Sequence, residues 1–166
     1  MALTTELMSA TEIIAKAIPN ADFDVALLDK RILKAQRRYV RDLISEDFYE
    51  ELQTQIAGGS LTPDNTTLLD DYIKPMLSYY VIYEALPEIR NNITSSGVME
   101  NAHEFAQQSS RFDYASLRNQ MLADAEDWRG ELIHFIKEEK KDDSSKYPLY
   151  NNNDTNTFNK YGIIPY

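Results

Sequence analysis

The stretch LLDDYIKPMLSYYVIYEALPEI, Leu68 to Ile89, carries apolar side chains on two helical stripes at once. Leu69, Tyr72, Met76, Tyr79, Tyr83 and Leu86 form one stripe, and Ile73, Leu77, Val81 and Ala85 form the other. Steps of three and four residues keep each set on one face of a helix. A helix that is apolar on two faces is buried between neighbours. The segment therefore predicts a central helix with other helices packed around it. Pro75 interrupts it. Proline lacks a backbone N–H and clashes with the turn before, so it must kink this helix or split it.

Start and stop signals place the neighbours. Thr62 followed by Pro63 is a helix start, with an N-cap hydroxyl and a proline where its missing N–H costs nothing. Before it, Ser45 is a plausible N-cap, with Glu46 and Asp47 favourable at the positive end of a helix that stops at Gly58-Gly59. Further upstream, Leu28, Ile32, Ala35, Tyr39 and Leu43 repeat at helical steps. Ser9 and Glu12 fit a capping box ahead of Ile13-Ile14, which predicts a short opening helix ending near Pro19-Asn20.

Downstream, NNITSSGVMEN (Asn91 to Asn101) changes character. Ile93 and Val98 flank a Ser-Ser-Gly turn signal, so a short β-hairpin or an irregular loop fits better than helix. After Asp113 a long helix is expected, with Leu117, Met121, Ala125, Trp128, Leu132 and Phe135 on one face and a charged end at EEKKDDSSK. The fold class is all-α. It is a compact bundle of about five helices, with a small hairpin or loop excursion and an extended C-terminal arm. The expected boundaries are 1–146 for the helical domain and 147–166 for the arm.

Composition narrows the function. The 166 residues suit one domain with one core, and 43% hydrophobic and 11% aromatic residues argue for a folded chain. The net charge of −10 disfavours a sequence-independent grip on nucleic-acid phosphates or anionic lipid. There is no cysteine, which excludes disulfides and thiol nucleophiles. No apolar run approaches the length of a membrane span, and the first residues lack the pattern of a secretion signal. His103 and His134 are far apart and without cysteine partners. Glu46-Asp47, Glu50-Glu51 and Asp70-Asp71 sit at polar positions beside apolar stripes, as solvated carboxylates do. No phosphate loop and no nucleophile elbow is present. The expectation is a protein with no catalytic residues, no cofactor and no metal.

Two features remain as interaction candidates. Lys30, Lys34, Arg37, Arg38 and Arg41 lie opposite the apolar stripe of their helix, a basic face in an acidic chain. That face is either solvated, or meets an acidic partner such as another copy of this chain, or touches DNA. The second feature is the end of the chain, YPLYNNNDTNTFNKYGIIPY. Its middle is too polar for a core, while Tyr147, Pro148, Leu149, Tyr150, Phe158, Tyr161, Ile163, Ile164 and Tyr166 supply apolar anchors. Following a charged helix end, it is expected to stand apart from the core and to order on a neighbouring subunit. Deleting 147–166 would then leave a folded domain.

The order of these features resembles the head–tail connector, or neck adaptor, proteins of tailed bacteriophages, above all the ring proteins of phages of Bacteroidetes hosts, including crAss-like phages. The resemblance rests on the opening helix, Leu27-Leu28 to Ile32 with Ala35-Gln36, ISEDFYEEL (Ile44 to Leu52), Leu69 to Pro75 with Pro87, ITSSGV, and a long helix ending in KYPLY. It covers nearly the whole chain. It implies a structural virion protein made in the host cytoplasm and placed in the neck, at the head–tail junction. Its partners would be copies of itself in a ring, commonly of twelve, the portal protein, and other neck or tail proteins. DNA would pass an acidic channel without specific binding, and no membrane would be involved. The rival expectations are a tail-completion or tail-terminator protein and a non-viral cytoplasmic helical adaptor.

Overall fold

A computed structural model describes residues 5–18, 25–94, 97–100 and 111–151, with side chains described outside 90–113. Helix α1, Ala10–Ala17, starts at the capping box: Ser9 Oγ accepts from the Glu12 N–H, and the Glu12 carboxylate accepts from the Ser9 N–H at 2.8 Å. Helix α2, Val25–Ala35, continues through a π-helical turn, Gln36–Arg41, into the short α3, Asp42–Ile44. All five stripe residues of this rod are buried. The π turn widens the buried face, so Val40 and Ile44 enter the core beside Tyr39 and Leu43.

Helix α4, Glu46–Gly58, ends where Gly59 takes φ +62°, a left-handed cap that glycine adopts without strain. Helix α5, Pro63–Thr67, starts at Thr62, whose hydroxyl accepts from the Asn65 N–H. It passes through a second π turn, Leu68–Ile73, into α6, Lys74–Arg90. This answers the question Pro75 raised. The helical path neither ends nor splits there. The Lys74 N–H bonds back five residues to the Leu69 carbonyl. Pro75 has no N–H to offer the Asp70 carbonyl in the same pattern, and that oxygen accepts from Lys16 Nζ of α1 at 3.3 Å.

Strands β1, Asn91–Thr94, and β2, Gly97–Glu100, pair antiparallel, with Ile93 opposite Val98. The long helix α7 runs from Arg111 to Asp142. Its inward residues are Met121, Ala125, Leu132, Ile133 and Ile136. Leu117, expected on that face, is 46% exposed, because the inward stripe runs through Tyr114, Arg118 and Met121 and passes it by.

Among the described residues these elements make five helical rods, an all-α bundle in which α6 packs against α1, α2 and α7. Both stripes of α6 are used. Ile73, Met76, Leu77 and Val81 are wholly inaccessible, Tyr83 and Leu86 nearly so. Two buried amides, Gln36 and Gln53, are satisfied. Gln36 donates to the Thr5 carbonyl and the Tyr49 hydroxyl at 2.9 and 2.7 Å and accepts from the Leu7 N–H at 3.0 Å. Gln53 donates to the same Thr5 carbonyl at 2.7 Å, so two amides hold the residues ahead of α1 against α4 and the first π turn.

Candidate partner-binding interface

The basic residues do not form one outward face. Lys34 and Arg38 turn onto α6 and share the Glu84 carboxylate, at 3.1 and 2.7 Å. The Tyr39 hydroxyl donates to the same carboxylate at 2.8 Å. Arg31 pairs with Glu88 one turn further along α6. Arg41 lies 3.5 Å from Asp42 and 3.6 Å from Glu46. Lys30 and Arg37 are exposed. Burial raises the pKa of Glu84, but the Tyr39 hydroxyl, Lys34 and Arg38 outweigh it and hold the carboxyl below its ordinary value.

From Glu84 the polar seam crosses the bundle. The Tyr39 ring stacks flat on Tyr80, with centroids 3.8 Å apart and planes 2° from parallel. The Tyr80 hydroxyl donates to Glu126 of α7, and Arg129 approaches that carboxylate at 3.8 Å. Here burial prevails, and the Glu126 carboxyl is raised above its ordinary value. Burial also raises both phenols. The seam thus joins α2, α6 and α7 through two carboxylates of opposite electrostatic character. Sequence reading passed over Glu84 and Tyr80. The available signal was Glu84 itself, a lone acid inside YYVIYEAL, four residues from Tyr80.

The start of the tail is not detached. Asp143 accepts from the Ser145 N–H and hydroxyl at 2.9 and 2.6 Å, and this turn folds the chain back along α7. Lys146 pairs with Glu139, and Lys140 donates to the Tyr147 carbonyl at 3.2 Å. Tyr147 enters the core at 4% exposure. Its ring lies 6.0 Å from Phe48 of α4 and 6.1 Å from Phe135 of α7, and its hydroxyl donates to the Asp64 carbonyl at 3.1 Å. Tyr150 is also buried. The expectation that Tyr147 and Tyr150 are free anchors is therefore corrected. The charged helix end is followed by a reversal that returns aromatic residues to their own domain, which extends to Tyr150. Pro148 is exposed and Leu149 is 38% exposed. Phe158, Tyr161, Ile163, Ile164 and Tyr166 lie outside the described residues.

Ser45 fixes this seat from the other side. Its hydroxyl caps α4 by accepting from the Phe48 N–H and donates to the Leu149 carbonyl at 2.8 Å. It does so at φ +92° and ψ 157°, a region that disfavours any residue with a side chain. Ser45→Ala keeps that strain and loses both hydrogen bonds, and is expected to cost about 2 kcal/mol. Ser45→Gly loses the same bonds but relieves the strain, so it is expected to be the milder change. Urea melts of the two variants check the ranking, and an alanine variant as stable as the glycine variant would refute it.

Among the described residues the carboxylate and histidine candidates do not come together. Among the described residues no three His, Asp or Glu side chains converge to hold a metal. Glu51 accepts from Gln55 and Asn65, and Asp70 pairs with Lys74, so these carboxylates brace helices. His134 is exposed, and His103 lies outside the described residues. Among the described residues no helix is long and apolar enough to cross a membrane.

Comparison with known families places the core of this arrangement. Residues 40–160 match the model of DUF6712, a family of unknown function. The chain belongs to the DUF6712 family. The matched span of this DUF6712 chain opens at Val40, inside the first π turn, and takes in Ser45, Glu84, Glu126 and the seat of Tyr147 and Tyr150. It leaves out α1, α2 and the basic residues Lys30, Lys34, Arg37 and Arg38. No curated protein matches the chain, and no solved structure does.

Proposed function

We propose that this DUF6712 chain is a structural protein of a tailed-phage particle that assembles as a ring of copies joining the portal to the tail. The observation that carries the reading is the order of elements. Each segment behind the connector resemblance outside the hairpin is a helix or a junction in the bundle: α1, α2, the Ser45-capped α4, the rod through Pro75, and α7 followed by the folded-back KYPLY. The hairpin lies where ITSSGV falls. The charged groups also fit a scaffold, because Glu84, Glu88, Glu126 and Glu12 are spent on holding helices together. The net charge of −10 suits a wall that DNA slides past, since few phosphates would be held.

Mass photometry of the purified chain, alone and with a portal protein, tests the proposal. A ring-sized species, alone or formed only on the portal, is the expected result. A chain that stays single at every concentration and ignores the portal would overturn it in favour of a monomeric adaptor.

A further inference from the structure

The outer side of α6 and α7 carries a cleft of about 230 Å³ that the bundle does not fill. Tyr79 of α6 and Trp128 of α7 wall it, and Asp124, Asp127 and Glu131 rim it. Both aromatic side chains rest on the core with part of their surface left open. Asp124 accepts from Gln120 at 3.1 Å. Asp127 and Glu131 are exposed and make no ion pair among the described residues. Aromatic walls with a carboxylate rim suit a cation. An ammonium or guanidinium can lie against the rings while the carboxylates neutralise it.

Charge complementarity points to the occupant. Among the described residues most cations are paired internally, as Arg31, Lys34, Arg38 and Arg41 are. Lys30 and Arg37 differ, as does Lys137, but Lys137 lies on α7 itself, the helix that carries the cleft. Lys30 and Arg37 are exposed, and neither makes an ion pair among the described residues, although Arg37 reaches the Tyr49 hydroxyl. Lys30 sits on α2 and Arg37 on the first π turn, whereas the cleft sits on α6 and α7. A contact between these two different patches of two copies is head-to-tail, the kind of contact that closes into a ring when the rotation permits.

We propose that the Tyr79–Trp128 cleft is the socket for a basic side chain, Lys30 or Arg37, of a second copy of this chain. The inference rests on the ring reading and names one of its contacts. The chain's single tryptophan is the cleft's own Trp128, so its emission reports occupancy directly.

The test uses the full chain under conditions where the wild type assembles, with portal protein if required. Lys30→Glu with Arg37→Glu, and separately Asp127→Lys with Glu131→Lys, are each expected to raise the concentration for half-assembly about tenfold or more. Combining all four reversals is expected to restore assembly. Trp128 emission is expected to change on assembly in the wild type and the four-site variant. If a reversal unfolds the chain, Lys30→Met and Glu131→Gln are expected to weaken assembly in the same direction. Assembly of both reversed pairs at wild-type concentrations, or a four-site variant no better than either pair, would overturn the socket while leaving the ring standing. A wild type that never assembles would overturn the ring reading itself, and the socket with it.

Discussion

Removing residues 147–166 is expected to destabilise the domain by roughly 4–6 kcal/mol more than removing 152–166 alone. Tyr147 alone accounts for most of the difference. Deleting a buried aromatic side chain costs about 3–5 kcal/mol, and Tyr147 is 4% exposed between Phe48 and Phe135. Tyr150 and the Ser45–Leu149 hydrogen bond add to this. Against a typical total of about 5–15 kcal/mol, the longer truncation comes close to unfolding the chain. Poor assembly of that truncation would therefore say nothing about an arm, because the domain itself would be damaged. The shorter truncation isolates residues 152–166. Urea denaturation of both forms is the check, and equal midpoints would refute the seat of Tyr147 and Tyr150.

Glu84→Gln and Glu126→Gln are expected to differ in sign of consequence. At neutral pH, Glu84→Gln leaves Lys34 and Arg38 without their shared carboxylate. The expected loss is about 2–3 kcal/mol, since the Glu84 side chain is only 11% exposed. Glu126→Gln keeps an acceptor for the Tyr80 hydroxyl and removes a carboxylate that burial disfavours, so it is expected to be neutral or slightly stabilising. The pH dependences run in opposite directions. Glu84 has a lowered folded-state pKa, so its contribution is present above its unfolded pKa of about 4.3 and fades as pH falls through the folded value. Glu126 has a raised folded-state pKa, so its contribution is present below about 4.3 and is lost as pH rises through the folded value. Denaturation at about pH 4 and about pH 7 should show the Glu84→Gln penalty growing with pH. A penalty for Glu126→Gln as large as that for Glu84→Gln would remove the distinction between them.

Much of this bundle was legible because local rules and burial agree. Ser9-Glu12, Ser45, Gly59 and Thr62-Pro63 mark helix ends through hydrogen bonds between near neighbours. The double stripe of Leu68–Ile89 led directly to a buried central helix. Two things were hidden by the same locality. The π turns add a residue to the turn, so a stripe counted at α-helical steps cannot show Val40 and Ile44 joining the core. The partners of Lys34, Arg38 and Tyr147 lie 50, 46 and 83 residues away in sequence, and no helical period reaches them. A basic stripe and an aromatic tail therefore looked free, although much of each is committed inside the same chain.

The seat of Tyr150 also sets where the rest of the chain is tethered. Residues 143–150 double back, so the last fifteen residues start beside Ser45 and the N-terminal end of α4, away from the tip of α7. Fully stretched, fifteen residues span at most about 50 Å. On the proposed arm reading, a surface gripped by residues 152–166 would fall inside a sphere of that radius centred near Ser45. For such a surface the tether replaces free diffusion with a local concentration in the millimolar range, so even a weak aromatic contact can be held once the first contact forms.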